Sequence, residues 1–337
     1  MKIGFSQNYN GPGGARSWIK RFSEFCIDKG HSVVYGFDTS VDVFCSVANL
    51  STLKELKTLK ENNIKILQRL GAIYLPYNHP NSALINLKNT ELKNLISCAD
   101  SIVYQSKFSK EVLFRSIYDG NEPDGDIIYN SADANIFTPL GDKIPKSNNK
   151  KVILAVAYWG TPHTAQESIN LLKNIIKYYE NRDDIEFWIL GRAFEPQELM
   201  LRSSNLRNIG KLDLLNPISL KDMPQLLRSA DIVLHLKAHE GCSNSVIETM
   251  NVGTPLVGIN SGSLPELVLD SALLCNCSSD ISNFPIVDFQ DLINKIDLTL
   301  ENIPQFSNRM LERGKNFSYE NTYSLYLDKL LSLYNQN

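Results

Sequence analysis

Short apolar runs along this chain alternate with longer stretches in which apolar residues recur every three or four positions. Alternation of that kind encodes parallel α/β units. In the first half, runs at 2–6, 31–37, 41–47, 64–70, 101–106 and 126–130 predict strands, with helices near 14–29, 51–62, 83–97 and 107–118. Within the last of these, Phe108, Val112 and Leu113 keep helical spacing behind Ser106. The periodic signal lapses between 131 and 150, where Pro, Asn, Ser and Lys predominate, and a linker is expected. A second series follows, with strands at 152–159, 185–191, 206–212, 231–237, 254–260 and 272–276. Its helices are expected near 165–180, 195–203, 219–229, 244–252 and 286–300. The closing segment places Tyr323, Tyr326, Leu327, Leu330 and Leu331 on one helical face.

The pattern predicts an α/β chain of two facing Rossmann-like parallel-sheet domains. Residues 1–147 would form the first, acceptor-side domain, completed by a terminal helix at 318–337. Residues 148–317 would form the second, nucleotide-sugar-binding domain. Open parallel sheets bind ligands beyond the carboxyl ends of their strands, so a crevice between the two sheets is expected. A length of 337 residues suits two cores better than one. The net charge of −3 lacks the basic excess of a nucleic-acid binder, and no nucleic-acid partner is expected. Residues 1–150 carry +3 and the remainder −6. That weakly basic first half is compatible with an anionic membrane surface or a phosphorylated acceptor.

Six scattered cysteines form no C-x-x-C pair, which fits a reduced, cytosolic chain. The first residues hold no apolar run long enough for a signal peptide, and no stretch reaches membrane-spanning length. A cytoplasmic location is expected, with any membrane contact peripheral and at the inner face.

Two segments carry candidate chemistry. After the first strand, Gly11, Gly13 and Gly14 precede a helix start, where glycine lets backbone N–H groups approach an anion closely. Their spacing is neither the dinucleotide fingerprint nor a P-loop. The second segment is HLKAHEGCSNSVIETMNVGTPLVGINSGSLPELV, residues 235–268. Glu240 follows a predicted strand, Ser243 or Asn244 suits a helix N-cap, and Glu248 lies eight positions after Glu240 on that helix. The free N–H groups of a helix start can receive a diphosphate. Glu240 is placed to accept hydrogen bonds from ligand hydroxyls, and Glu248 from the paired hydroxyls of a ribose.

Here the chain resembles the family-4 glycosyltransferases, retaining enzymes of the GT-B fold. Their E-x7-E signature stands as Glu240-GCSNSVI-Glu248, followed by TMNVGTPLVGINSGSLPELV. The resemblance implies that Glu240 contacts the donor sugar and Glu248 the ribose. The backbone of Gly241, Cys242, Ser243, Asn244 and Ser245 would meet the diphosphate. Gly13 and Gly14 correspond to the family's N-terminal diphosphate loop, and the terminal helix to one that crosses back to the first domain. Segments 99–113 and 127–139 resemble the family's ends of that domain.

The implied reaction moves a hexose-type sugar from a nucleoside diphosphate donor to a glycan or lipid-linked acceptor with retention, in polysaccharide or cell-envelope synthesis. No cofactor is implied, and no metal, in keeping with the absence of a D-x-D motif.

Two places depart from the family pattern. The Arg and Lys that usually clamp the leaving phosphates, just after the first strand of the second domain, are missing from AYWGTPHTAQES at 157–168. Gly160 and Thr164 occupy the nearest equivalent positions, and His163 is the candidate cation there, alternatively a loop or cap histidine. Arg192, Lys211 and Lys237, at later strand ends, are candidate substitutes on the donor side, with Arg192 the most attractive. In the loop after the fourth strand, Gly71 stands where a His or Asp is expected, leaving Arg69 and His79 as acceptor-side candidates. An alternative reading is a non-catalytic GT-B protein that assists a partner glycosyltransferase. A sugar-nucleotide epimerase of similar build is a further rival.

Overall fold

The computed structural model describes residues 1–7, 14–79, 81–146, 150–157, 162–191, 206–208 and 222–336, with backbone alone at 162–165 and 206–208. The first sheet holds β1 Lys2–Phe5, β2 Ser32–Tyr35, β3 Val43–Val47, β4 Lys65–Arg69, β5 Ser101–Tyr104 and β6 Asp126–Ile127. Its strands run parallel in the order β2-β1-β3-β4-β5-β6. The second sheet holds β7 Lys151–Val156, β8 Ile185–Leu190, β9 Leu206–Asn208, β10 Ile232–His235, β11 Leu256–Ile259 and β12 Leu273–Cys275. It is also parallel, in the order β12-β11-β10-β7-β8-β9. Strands such as β3 and β8 are buried along their whole length, so they read as unbroken apolar runs rather than alternating ones.

The helices cover these sheets where the sequence supplies caps and apolar stripes. Helix α2 (Leu53–Glu61) opens with a full capping box between Thr52 and Glu55, and α3 (Ser82–Ile96) with the Asn81 side chain accepting from Leu84 N–H. The stretch expected as one helix at 107–118 is wound as a π-helix over Ser109–Phe114, running into α4 at Arg115–Ile117. Over so few residues the apolar spacing fits either winding. In the second half lie α5 (Pro162–Tyr178), α6 (Met223–Ser229), α7 (Asn244–Val252), α8 (Leu264–Val268), α9 (Phe289–Glu301), α10 (Ile303–Gly314) and α11 (Tyr319–Tyr334). Helices α8 and α10 were not expected. Each carries proline in its first turn, which reads as a break but costs a helix nothing where the N–H is unpaired anyway. The helix expected near 195–203 lies outside the described residues.

Two compact units result. One comprises Met1–Tyr74, Asn81–Asn130 and Tyr319–Asn337, the other Leu75–Pro80 and Ser131–Ser318. The first is built around an aromatic core in which α11 packs on α1 (Gly14–Asp28): Trp18 lies 4.8 Å from both Phe22 and Tyr326, ring centre to ring centre. The second core joins Ile153, Ile169, Leu172, Phe187, Leu234 and Val257, among others, from both layers. Segment 131–146 is held to the second unit by polar contacts. Arg228 donates to the carbonyls of Thr138 and Asp142, Ile144 N–H donates to Ser229 Oγ, and Lys146 pairs with Asp231. No described helix is long and apolar enough to cross a membrane.

Candidate functional site

Strand order places the site in the second unit. Strands β7 to β9 are laid down outward on one side and β10 to β12 on the other, so β7 and β10 are neighbours at the reversal. Loops leaving such a switch point diverge and open a cleft at the carboxyl edge. Beside it, a small cavity under α7 is lined largely by apolar residues such as Leu227, Val233, Leu234 and Leu256, and also touches His235, Ser245 and Glu248.

Glu240 sits in the loop from β10 to α7 with its carboxylate between Lys237 and His235. Lys237 Nζ donates to Oε1 at 3.0 Å, and His235 Nε2 lies 3.1 Å from Oε2. The imidazole approaches off the hydrogen-bond direction, so Oε2 is buried without a hydrogen-bond partner among the described residues. Burial pushes the Glu240 carboxyl up, but Lys237 and His235 together hold it well below the usual carboxylate range. The group is therefore an acceptor and not an acid.

The loop around Glu240 is pinned from the β11–α8 turn. Ser263 N–H donates to Glu240 O at 2.9 Å. Gly262 has φ +67°, and a Cβ there would stand 2.7 Å from Glu240 N, so only glycine fits. His239 is itself left-handed at φ +56°. Its Nε2 lies 2.8 Å from Asn283 O, which can only accept, so the proton resides on Nε2. Ser261 Oγ then donates to Nδ1 at 3.1 Å and accepts from His239 N–H at 3.2 Å. Burial lowers the His239 pKa, which favours this neutral form. Tyr77 meets His239 edge-on at 4.9 Å between ring centres. Burial pushes its phenol up to about 12.

Helix α7 starts at this loop. Ser243 is the N-cap in extended conformation, yet its hydroxyl turns to Ser245 Oγ at 3.1 Å and makes no capping bond. No acidic residue stands in the first turn. The leading amides thus present uncompensated partial positive charge, worth about 0.3–1 kcal/mol to a nearby anion. One turn further, Glu248 is buried.

The family profile described as Glycosyl transferases group 1 matches residues 140–317. The chain belongs to this family. Among solved structures, sucrose-phosphate synthase from Thermosynechococcus elongatus aligns over 100% of both chains at 13% identity, with a TM-score of 0.78. HepE of Anabaena in complex with UDP-glucose aligns over 98% of this chain and 100% of its own, at 16% identity and TM-score 0.67. A glycosyltransferase from Rickettsia africae aligns over 98% of each chain at 15% identity and TM-score 0.69. At such identities the likeness shows the fold, a GT-B-like pair of parallel-sheet α/β domains. No curated protein matches the sequence.

In this group 1 glycosyltransferase, Glu240, Gly241, Cys242, Ser243, Asn244, Ser245 and Glu248 come together around the α7 start. His79 also lies in the second unit, in the segment Leu75–Pro80, with its N–H bonded to Leu75 O. Gly14, the first residue of α1, and Arg69, the last of β4, belong to the first unit. Gly13, Arg192 and Lys211 lie outside the described residues, and His163 is described only as backbone in the first turn of α5. Gly71 cannot be replaced by a larger residue without movement, because a Cβ there would stand 2.7 Å from the Cβ of Ala48.

Sequence reasoning missed His235, His239, Ser261, Gly262 and Tyr77. A usable signal existed for the first two, since they alternate with Lys237 at the polar end of an otherwise apolar strand. Nothing local marks Tyr77 or Ser261.

Proposed function

We propose that this glycosyltransferase moves a hexose-type sugar from a nucleoside diphosphate donor to a glycan or lipid-linked acceptor, with retention of anomeric configuration. The observation that carries the reading is the uncapped start of α7 at the β7/β10 switch point, bracketed by Glu240 and Glu248. The diphosphate lies against the α7 amides, the ribose hydroxyls donate to Glu248, and the sugar hydroxyls donate to the Glu240 carboxylate. Bond cleavage leaves a nucleoside diphosphate whose growing charge the helix start stabilises. The acceptor hydroxyl passes its proton to that leaving phosphate, and no step calls on Glu240 as an acid or on a metal. His163, Arg192 and Lys211 are the candidate cations for the phosphates. UDP is the first nucleotide to try, because HepE, which shares the fold, was crystallised with UDP-glucose.

Calorimetric titration with UDP, ADP and GDP tests the reading. One nucleotide should bind, and Glu248→Ala should weaken it by about tenfold or more, the loss expected when charge-assisted hydrogen bonds to a carboxylate are removed. Unchanged affinity in that variant would remove Glu248 from the ribose site. The second reading, an accessory protein for an active partner, is favoured by the lack of Arg or Lys at 157–168. It predicts no hydrolysis of any bound nucleotide sugar by the purified chain alone.

A further inference from the structure

The first unit buries a positive charge that it does not neutralise. Arg69 closes β4, is 2% exposed, and forms no ion pair with any described carboxylate. Its guanidinium lies 4.4 Å from the centre of the Trp18 ring, and Nη2 donates to Asn130 Oδ1 at 2.6 Å. Both partners are neutral. Among the described residues the Nε–H has no acceptor, and neither has the Trp18 indole N–H. Cys45, the ionisable group whose titration Arg69 touches, stays a neutral thiol because burial pushes it far up. The half-buried Arg228 and Arg313 differ, since each donates to two backbone carbonyls.

A buried guanidinium keeps its charge, and leaving it without a counter-charge is costly. Two unpaired donors beside it add to that cost. The place is also the one where parallel sheets bind ligands, because Arg69 ends β4, Asn130 follows β6 and Trp18 lies near the start of the helix after β1. We propose that Arg69 and the Trp18 indole N–H form an anion subsite in the first unit, and that the acceptor carries a phosphate group held there. This deepens the glycosyl-transfer reading and rests on it for the word acceptor, although the subsite itself does not. A phosphate oxygen accepts from Nε–H and from the indole, and the cation–π pair with Trp18 keeps the guanidinium plane in place when the site is empty.

The test is calorimetric titration of the full chain with inorganic phosphate at constant ionic strength, with and without saturating UDP. Wild type should bind phosphate equally in both conditions. Arg69→Met should weaken binding by about tenfold or more, and Arg69→Lys should restore part of it. Where Arg69→Met fails to fold, Trp18→Phe carries the test, since it keeps a ring under the guanidinium and removes one donor. No phosphate binding, or equal affinity in the variants that fold, would make the cluster a packing device and overturn the proposal. Competition by UDP would assign the phosphate to the donor and equally overturn it. Loss of UDP binding with phosphate binding intact would instead count against the donor site in the second unit. A hexose phosphate and a short alkyl phosphate, titrated alike, tell a soluble acceptor from a lipid-linked one by which binds more tightly.

Discussion

Glu240 owes its charge to Lys237 and His235, which overcome a burial that would otherwise protonate it. A carboxyl depressed in the folded protein contributes stability above its unfolded value, near 4.5, and loses that contribution as pH falls through the lower folded value. Lys237→Met removes the larger of the two attractions and lets burial raise the carboxyl. The acid limb of nucleotide-sugar binding should then move to higher pH, and so should the onset of acid destabilisation. Titrations and urea midpoints between roughly pH 4 and 7 will show it; superimposable profiles would mean that Lys237 does not tune Glu240. At this scale the sequence displays the two glutamates and their spacing plainly. It does not display Ser261 or Tyr77 against His239, because those contacts join segments far apart in the chain. The glycine at 71, in a place where a His or Asp is expected, has its reason in the nearness of Ala48, again a non-local fact.

Helix starts in this protein serve two ends, and the side chains separate them. Thr52 and Glu55 satisfy the first-turn amides of α2 reciprocally, which serves stability. Ser243 leaves those of α7 open, which suits a ligand. Thr52→Ala should therefore cost about 1 kcal/mol, while Ser243→Ala, with no capping bond to lose, should cost less than about 0.5 kcal/mol. Chemical denaturation compares them directly, and a larger loss at Ser243 would mean that its hydroxyl does cap α7 in solution. Each strand expected in the sequence is present; among the described residues most are shorter at one or both ends, and β7 begins one residue early, at Lys151. Their apolar runs are strong local signals, whereas their ends depend on where the ladder of partners stops. The helices α8 and α10 escaped because a proline near a helix start and a proline that ends one look alike in a single sequence.

Over the whole molecule, the chain leaves the first unit after Asn130 and returns to it at Tyr319. Helix α11 supplies Tyr323, Tyr326 and Leu330 to the aromatic core around Trp18 and Phe22. Truncation after Ser318 should strip that core of several large side chains and unfold the first unit by limited proteolysis, while the second, with its own core, stays resistant. A protected first unit in the truncated chain would show that α11 is dispensable there. The sequence by itself determined most of the elements, the division into two sheet-forming halves and the motif from Glu240 to Glu248, because periodicity, caps and short spacings are written in neighbouring residues. Only the tertiary structure decided that β10 lies beside β7, that Lys237 and His235 flank Glu240, and that Arg69 is buried on Trp18. Those outcomes depend on strand order and on packing between distant segments, for which no local pattern of residues carries a signal.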